Sequence, residues 1–70
     1  MKWLIKQYMI SSRIKSLREL ADRTGIQYLR LLRRLDHPEN FLMYEIRSLD
    51  DVLKFSDEDM LRIIKGGVED

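Results

Sequence analysis

Residues 16–35 read SLRELADRTGIQYLRLLRRL, and this stretch decides the fold. Ser16 followed by Glu19 is a capping box: the hydroxyl accepts from the Glu19 amide, and the Glu19 carboxylate reaches back to the Ser16 amide. Leu17, Leu20, Ala21 and Thr24 then recur at helical spacing and make one packed stripe. Gly25 stands where the stripe ends, the position that favours a positive φ behind a helix. Ala21 is small, which lets a following helix cross close by. Gly25 and Ile26 make the turn, and the second helix starts at Gln27 or Tyr28. The spacing predicts helices over 17–24 and 27–35. At roughly 100° per residue, Leu31, Leu35, Tyr28 and Leu32 share the inner side of the second helix. Leu29 and Arg33 fall opposite, and Arg30 lies to one flank.

Outward from this pair, the rest of the chain also reads as helix. Leu4, Ile5, Tyr8 and Met9, with Trp3, recur at three-to-four spacing and predict an amphipathic helix over 2–13. Ser11 and Ser12 weaken its end, and Ile14 packs as the chain turns toward Ser16. Asp36, His37, Pro38, Glu39 and Asn40 read as a loop, since proline ends a helical run and Asn and Asp favour turns. Ile46, Leu49, Val52 and Leu53 give the apolar stripe of a helix over 42–54, with Phe41 plugging the core from the loop and Met43 and Tyr44 partly exposed. Ser56 followed by Asp59 caps a last helix over 57–65. Its acidic first turn suits the positive helix end, and Met60, Leu61 and Ile64 face inward. Gly66 and Gly67 stop that helix, leaving residues 67–70 as a mobile tail. The predicted fold is all-α: one domain over residues 1–66, a compact unit of four or five helices.

The match of Leu20-Ala21, Gly25 four residues after the alanine, then apolar Ile26 and Leu31, is the order of a helix-turn-helix. It resembles phage repressors of the lambda type, the Cro and CI-like, XRE-type family. With the run Arg33-Arg34-Leu35-Asp36-His37-Pro38 the chain is similar to small prophage DNA-binding proteins. The resemblance covers residues 2–65. It implies a lambda repressor-like domain in which the second helix of the pair reads double-stranded DNA in the major groove.

Charge points the same way. The net charge of +1 hides an asymmetry: residues 1–35 carry nine basic and two acidic groups, 9 − 2 = +7, and residues 36–70 carry four and ten, 4 − 10 = −6. A basic half that also holds the helix-turn-helix suggests a nucleic-acid partner. With no cysteine there is no disulfide framework and no thiolate zinc site, which suits a cytoplasmic protein. The apolar run Trp3-Leu4-Ile5 is broken by Lys6, too short for a signal core or a membrane span.

Carried over position by position, the family's base-reading places fall on Gln27, Tyr28, Leu29 and Arg33. Arg33 suits guanine O6 and N7, Gln27 suits adenine, and Leu29 suits a thymine methyl. Tyr28 is ambiguous, because the helical wheel turns it inward. Phosphate contacts are expected from Lys15, from Leu17 and Arg18 with their free amides at the positive end of a helix, and from Arg30 and Arg34 gripping the backbone on either side of the groove. The chain departs from the family at Leu17, where a glutamine is common, at Arg34, where a core apolar residue is common, and at Asp36, in a loop usually neutral or basic.

No catalytic constellation appears. His37 is the only histidine and sits beside Asp36 in a loop, and Gly66-Gly67 lacks the lysine and strand of a phosphate loop. The expectation is a sequence-specific transcription regulator, a homodimer on a near-palindromic operator, with no enzyme activity, cofactor, metal, membrane partner or small-molecule substrate. The alternative is a protein-binding adaptor that keeps the scaffold and docks through the acidic C-terminal half, with Met43, Tyr44 and Met60 as anchors.

Overall fold

Helical spacing dominates the sequence, and five helices result. The computed structural model describes residues 1–65, which hold α1 (Lys2–Ser11), α2 (Leu17–Thr24), α3 (Tyr28–Asp36), α4 (Met43–Leu53) and α5 (Asp57–Ile64), with a single 3₁₀ turn at Pro38–Asn40. No strand occurs among the described residues, so the fold is all-α. The predicted glycine stop and tail lie outside the described residues. No helix among the described residues is long and apolar enough to cross a membrane.

The core is built from one stripe of each helix. Ile5 and Met9 of α1, Leu20 and Ala21 of α2, Leu31 and Leu35 of α3, Ile46, Leu49 and Leu53 of α4 and Ile63 of α5 are buried, joined by Met1, Ile14, Ile26 and Phe55 from the ends and connections. Leu4, Tyr8, Phe41 and Val52 pack against them half-buried. α2 is the central element, packed on both α3 and α4.

α1 stops at Ser11, two residues before the predicted end. The Ser12 amide donates to the Tyr8 carbonyl at 2.9 Å, Arg13 takes φ +59°, and the Ile14 amide reaches back to the Met9 carbonyl at 2.9 Å, which drives Ile14 into the core. Ser16 Oγ then accepts from the Glu19 amide at 3.1 Å and starts α2. The reciprocal half of the capping box is not made, because the Glu19 carboxylate turns to Arg23 Nε, 3.4 Å away. Gly25 ends α2 with φ +76°, its amide donating to the Ala21 carbonyl. The Thr24 hydroxyl locks the turn by donating to the Leu20 carbonyl at 2.9 Å and accepting from the Ile26 amide at 3.3 Å.

Three expectations need correction. Asp36 is the last residue of α3, not the first of a loop. A carboxylate at the negative end of a helix is unfavourable by itself, and an ion pair with Lys2 at the start of α1 offsets it. On α5 the inward residues are Met60 and Ile63, while Leu61 and Ile64 are 54% and 51% exposed. Tyr8 sets that rotation: its hydroxyl donates to Asp59 Oδ2 at 2.5 Å and accepts from the Ser56 amide at 3.0 Å, so Asp59 is turned toward α1 and Met60 and Ile63 follow. Ser56 Oγ still caps the helix, accepting from the Asp59 amide. Trp3, finally, stays outside the core at 64% exposure, with Met1 filling the apolar position instead.

Two of the left-handed positions behind helices, Gly25 and Lys54, give a test with opposite signs. Gly25→Ala meets no atom within 4 Å at its new Cβ, so its cost is the backbone strain alone, about 1–2 kcal/mol. Lys54, the residue after α4, holds φ +57° with a side chain present, and Lys54→Gly should stabilise by up to ~1 kcal/mol. Urea unfolding of the two variants beside the parent chain checks both signs.

Candidate nucleic-acid interface

α3 is held from behind and from both flanks. Leu31 and Leu35 face the core. On one flank the Arg18 guanidinium lies over the Tyr28 ring, 4.2 Å from its centroid, a cation–π contact joining the start of α2 to the start of α3. Leu17 and Leu32 line a shallow groove beside it, rimmed by Lys2 and Lys6. On the other flank Arg30 and Arg34, four residues apart and hence neighbours on the helix, both turn to Glu45 of α4. What remains outward is a ridge of Leu29, Arg33 and Asp36. Leu29 is 56% exposed.

Glu45 is the only charged or polar residue in the core among the described residues, and it is fully buried. Its Oε2 lies 2.7 Å from Arg30 Nε, a charge contact without the alignment of a hydrogen bond. Its Oε1 accepts from Arg34 Nε at 3.3 Å and from the Leu42 amide at 2.8 Å. The last bond satisfies one of the orphan donors at the start of α4, a service that the Leu42 side chain, with no acceptor, cannot return. Arg34 is accommodated beside the core because Glu45 meets it, while Leu35 takes the core position.

The expected site residues therefore divide. Gln27 is exposed at the cap of α3 with no side-chain bond to the helix, and Leu29 and Arg33 are exposed in the first and second turns of α3. Tyr28 is half-buried and carries Arg18 on its face, which resolves its ambiguity: it sits on the flank, reachable but engaged. Lys15 and Arg18 are exposed at the start of α2, and the Leu17 side chain packs on the core while its amide lies in the first turn of α2, where helix donors have no intrahelical acceptor. Arg30 and Arg34 do not straddle the helix. Both are on the α4 flank, gathered by one carboxylate, so the expected grip on opposite strands is corrected to one paired cluster with a net charge of +1.

The pairing sorts the cations of the basic half. Lys2 goes to Asp36, Arg23 to Glu19, and Arg30 and Arg34 to Glu45. Among the described residues Lys6, Arg13, Lys15, Arg18 and Arg33 have no carboxylate within 4.0 Å. Glu45 is the functional residue that the sequence reading missed. Its signal was present: two arginines four apart on the predicted reading helix, and a glutamate three residues after a leucine that cannot cap. No group of three His, Cys, Asp or Glu residues converges on a metal position among the described residues. No family model, curated protein or solved structure matches the chain.

Removing a buried carboxylate strands two guanidiniums. Glu45→Ala should cost about 1–3 kcal/mol, while Arg33→Ala, on the exposed ridge, should stay within about 0.5 kcal/mol of the parent. Denaturant midpoints of the two variants measure the contrast, and equal midpoints would show that the cluster does not hold α3.

Proposed function

We propose that the protein binds double-stranded DNA sequence-specifically, with α2 and α3 acting as the helix-turn-helix of a lambda repressor-like transcription regulator of prophage or mobile-element type. The observation that carries this reading is the outward ridge of α3: Leu29 and Arg33 are exposed, with Gln27 ahead of them, on a helix whose other sides are all engaged. A base-reading helix needs that combination of an anchored back and free front.

Each residue then has a task. Arg33 pairs bidentately with guanine O6 and N7, worth ~1–3 kcal/mol of discrimination. Gln27 addresses adenine and Leu29 a thymine methyl. Tyr28 holds Arg18 against the backbone and offers its hydroxyl beside it. Phosphates sit at the start of α2, against the Leu17 and Arg18 amides and the Lys15 and Arg18 side chains. Arg30 and Arg34 contribute through the single net charge that Glu45 leaves them. Asp36, at the far end of the ridge, is tied to Lys2 and offers no donor to a base or phosphate, so reading falls to the first two turns of α3.

Two copies on a near-palindromic site would place half-sites ~34 Å apart. With ~4 phosphates neutralised by each copy, the dimer's log–log salt slope is near −7. Titration of a duplex recovered from a random pool should show that slope, and Arg33→Ala should lose discrimination at one base position while Arg18→Ala weakens all sequences alike. Folded protein with no duplex affinity at low salt contradicts the proposal.

A second reading, a protein-binding adaptor, draws on Leu42, Met43 and Tyr44, exposed in sequence at the start of α4. Met60 does not join them, being half-buried against the core. Function that survives Arg33→Ala but not charge reversal across residues 50–59 favours it.

A further inference from the structure

α1 is apolar on two sides. Its inner side, with Ile5 and Met9, fills the core. Its outer side carries Trp3 and Ile10, 64% and 78% exposed, the two most exposed large apolar side chains among the described residues. They stand seven residues apart and so share one face, about 10 Å apart along the axis, with exposed Gln7 between them. A surface helix keeps its apolar residues to the side that meets the core, and the core does not use this second side.

Charge sets this face apart from the other exposed apolar residues. Leu61 and Ile64 on α5 follow three carboxylates, Asp57, Glu58 and Asp59. Residues 1–18, by contrast, hold five cations and no carboxylate. Lys6 on α1, and Arg13 and Lys15 just beyond its end, are exposed with no carboxylate within 4.0 Å. Two acids do approach α1, and both are engaged: Asp36 pairs with Lys2, and Asp59 takes the Tyr8 hydroxyl. Lys6 and Lys15 also rim an apolar groove floored by Met9, Ile14 and Leu17, with Ile10 at its edge. Apolar side chains ringed by cations suit the boundary of a bilayer with anionic headgroups, where tryptophan and isoleucine enter the acyl edge and the cations stay at the phosphates. A nucleic-acid backbone matches the cations but gives Ile10 no apolar medium to enter.

We infer that the outer face of α1, Trp3 and Ile10 with Lys6, Arg13 and Lys15 around them, docks on the surface of an anionic bilayer. The helix lies on the membrane and does not span it, since no helix among the described residues is long and apolar enough to cross. Its inner side stays in the core, so docking needs no unfolding. The inference does not rest on the DNA-binding reading. Trp3, Lys6, Ile10 and Arg13 lie outside the proposed base and phosphate contacts, so either reading can fail alone.

Trp3 is the only tryptophan in the chain, so its emission reports on the face itself. The experiment titrates the full chain, without DNA, with vesicles of phosphatidylcholine alone or mixed equally with phosphatidylglycerol. The expected result is a blue shift on the anionic vesicles that high salt weakens, and little change on the neutral ones. Lys6→Gln/Arg13→Gln should lower partitioning about thirtyfold, from about five- to sixfold per cation. Ile10→Ser should lower it while leaving its salt dependence unchanged. All three substituted residues are exposed, so the circular dichroism of both variants should match the parent chain. No blue shift on anionic vesicles, an equal shift on neutral ones, or partitioning that Ile10→Ser leaves unchanged overturns the inference. The same blue shift on a DNA duplex also overturns it, and assigns the face to nucleic acid.

Discussion

A carboxylate cut off from water must be met by cations, and Glu45 is met by two from the same helix. That constraint sets the rest. A buried, unpaired charge costs several kcal/mol, so the arrangement is stable only with Arg30 and Arg34 turned toward α4. Turning them fixes the rotation of α3 about its axis, and the rotation decides which residues face out. The same carboxylate takes the Leu42 amide and so fixes where α4 begins. One side chain thus couples the start of one helix to the orientation of another.

Apolar packing alone does not specify rotation so finely. Leucine stripes on short helices tolerate a shift of one position if volume is kept. In this chain the shifts are removed by polar contacts at the joints: Arg18 on Tyr28, the Thr24 hydroxyl across the turn, and Tyr8 on Ser56 and Asp59. The same contacts sort charge. Of the cations with no carboxylate within reach, Lys15 and Arg18 stand at the start of α2 and Arg33 on the ridge of α3, where a polyanion can reach them.

Helix existence and order were legible in the sequence because each helix carries a periodic stripe, and α2 and α5 also carry local start or stop signals. Ser16, Gly25 and Ser56 are such signals, and each does what its residue type predicts. Rotation was less legible. Leu61 and Ile64 follow helical spacing as well as Met60 and Ile63 do, and only the contact between Tyr8 and Asp59, fifty-one residues apart, selects the second pair. Asp36 reads as a loop former until Lys2, from the other end of the chain, is seen to pair with it. Arg30 and Arg34 read as free cations because their partner lies on the next helix, in the acidic half. Long-range polar pairs leave no periodic trace, and they are what separates a list of basic residues from a surface.

The central claim is that a helix pinned by a buried carboxylate offers its Leu29–Arg33 ridge to DNA. Amide shift mapping of the full chain against a short duplex at low salt tests it most directly. The account predicts perturbations at Leu17, Arg18, Gln27, Leu29 and Arg33, with α5 unmoved. Perturbations centred on Met43 and Tyr44, or none at any duplex concentration, would contradict it.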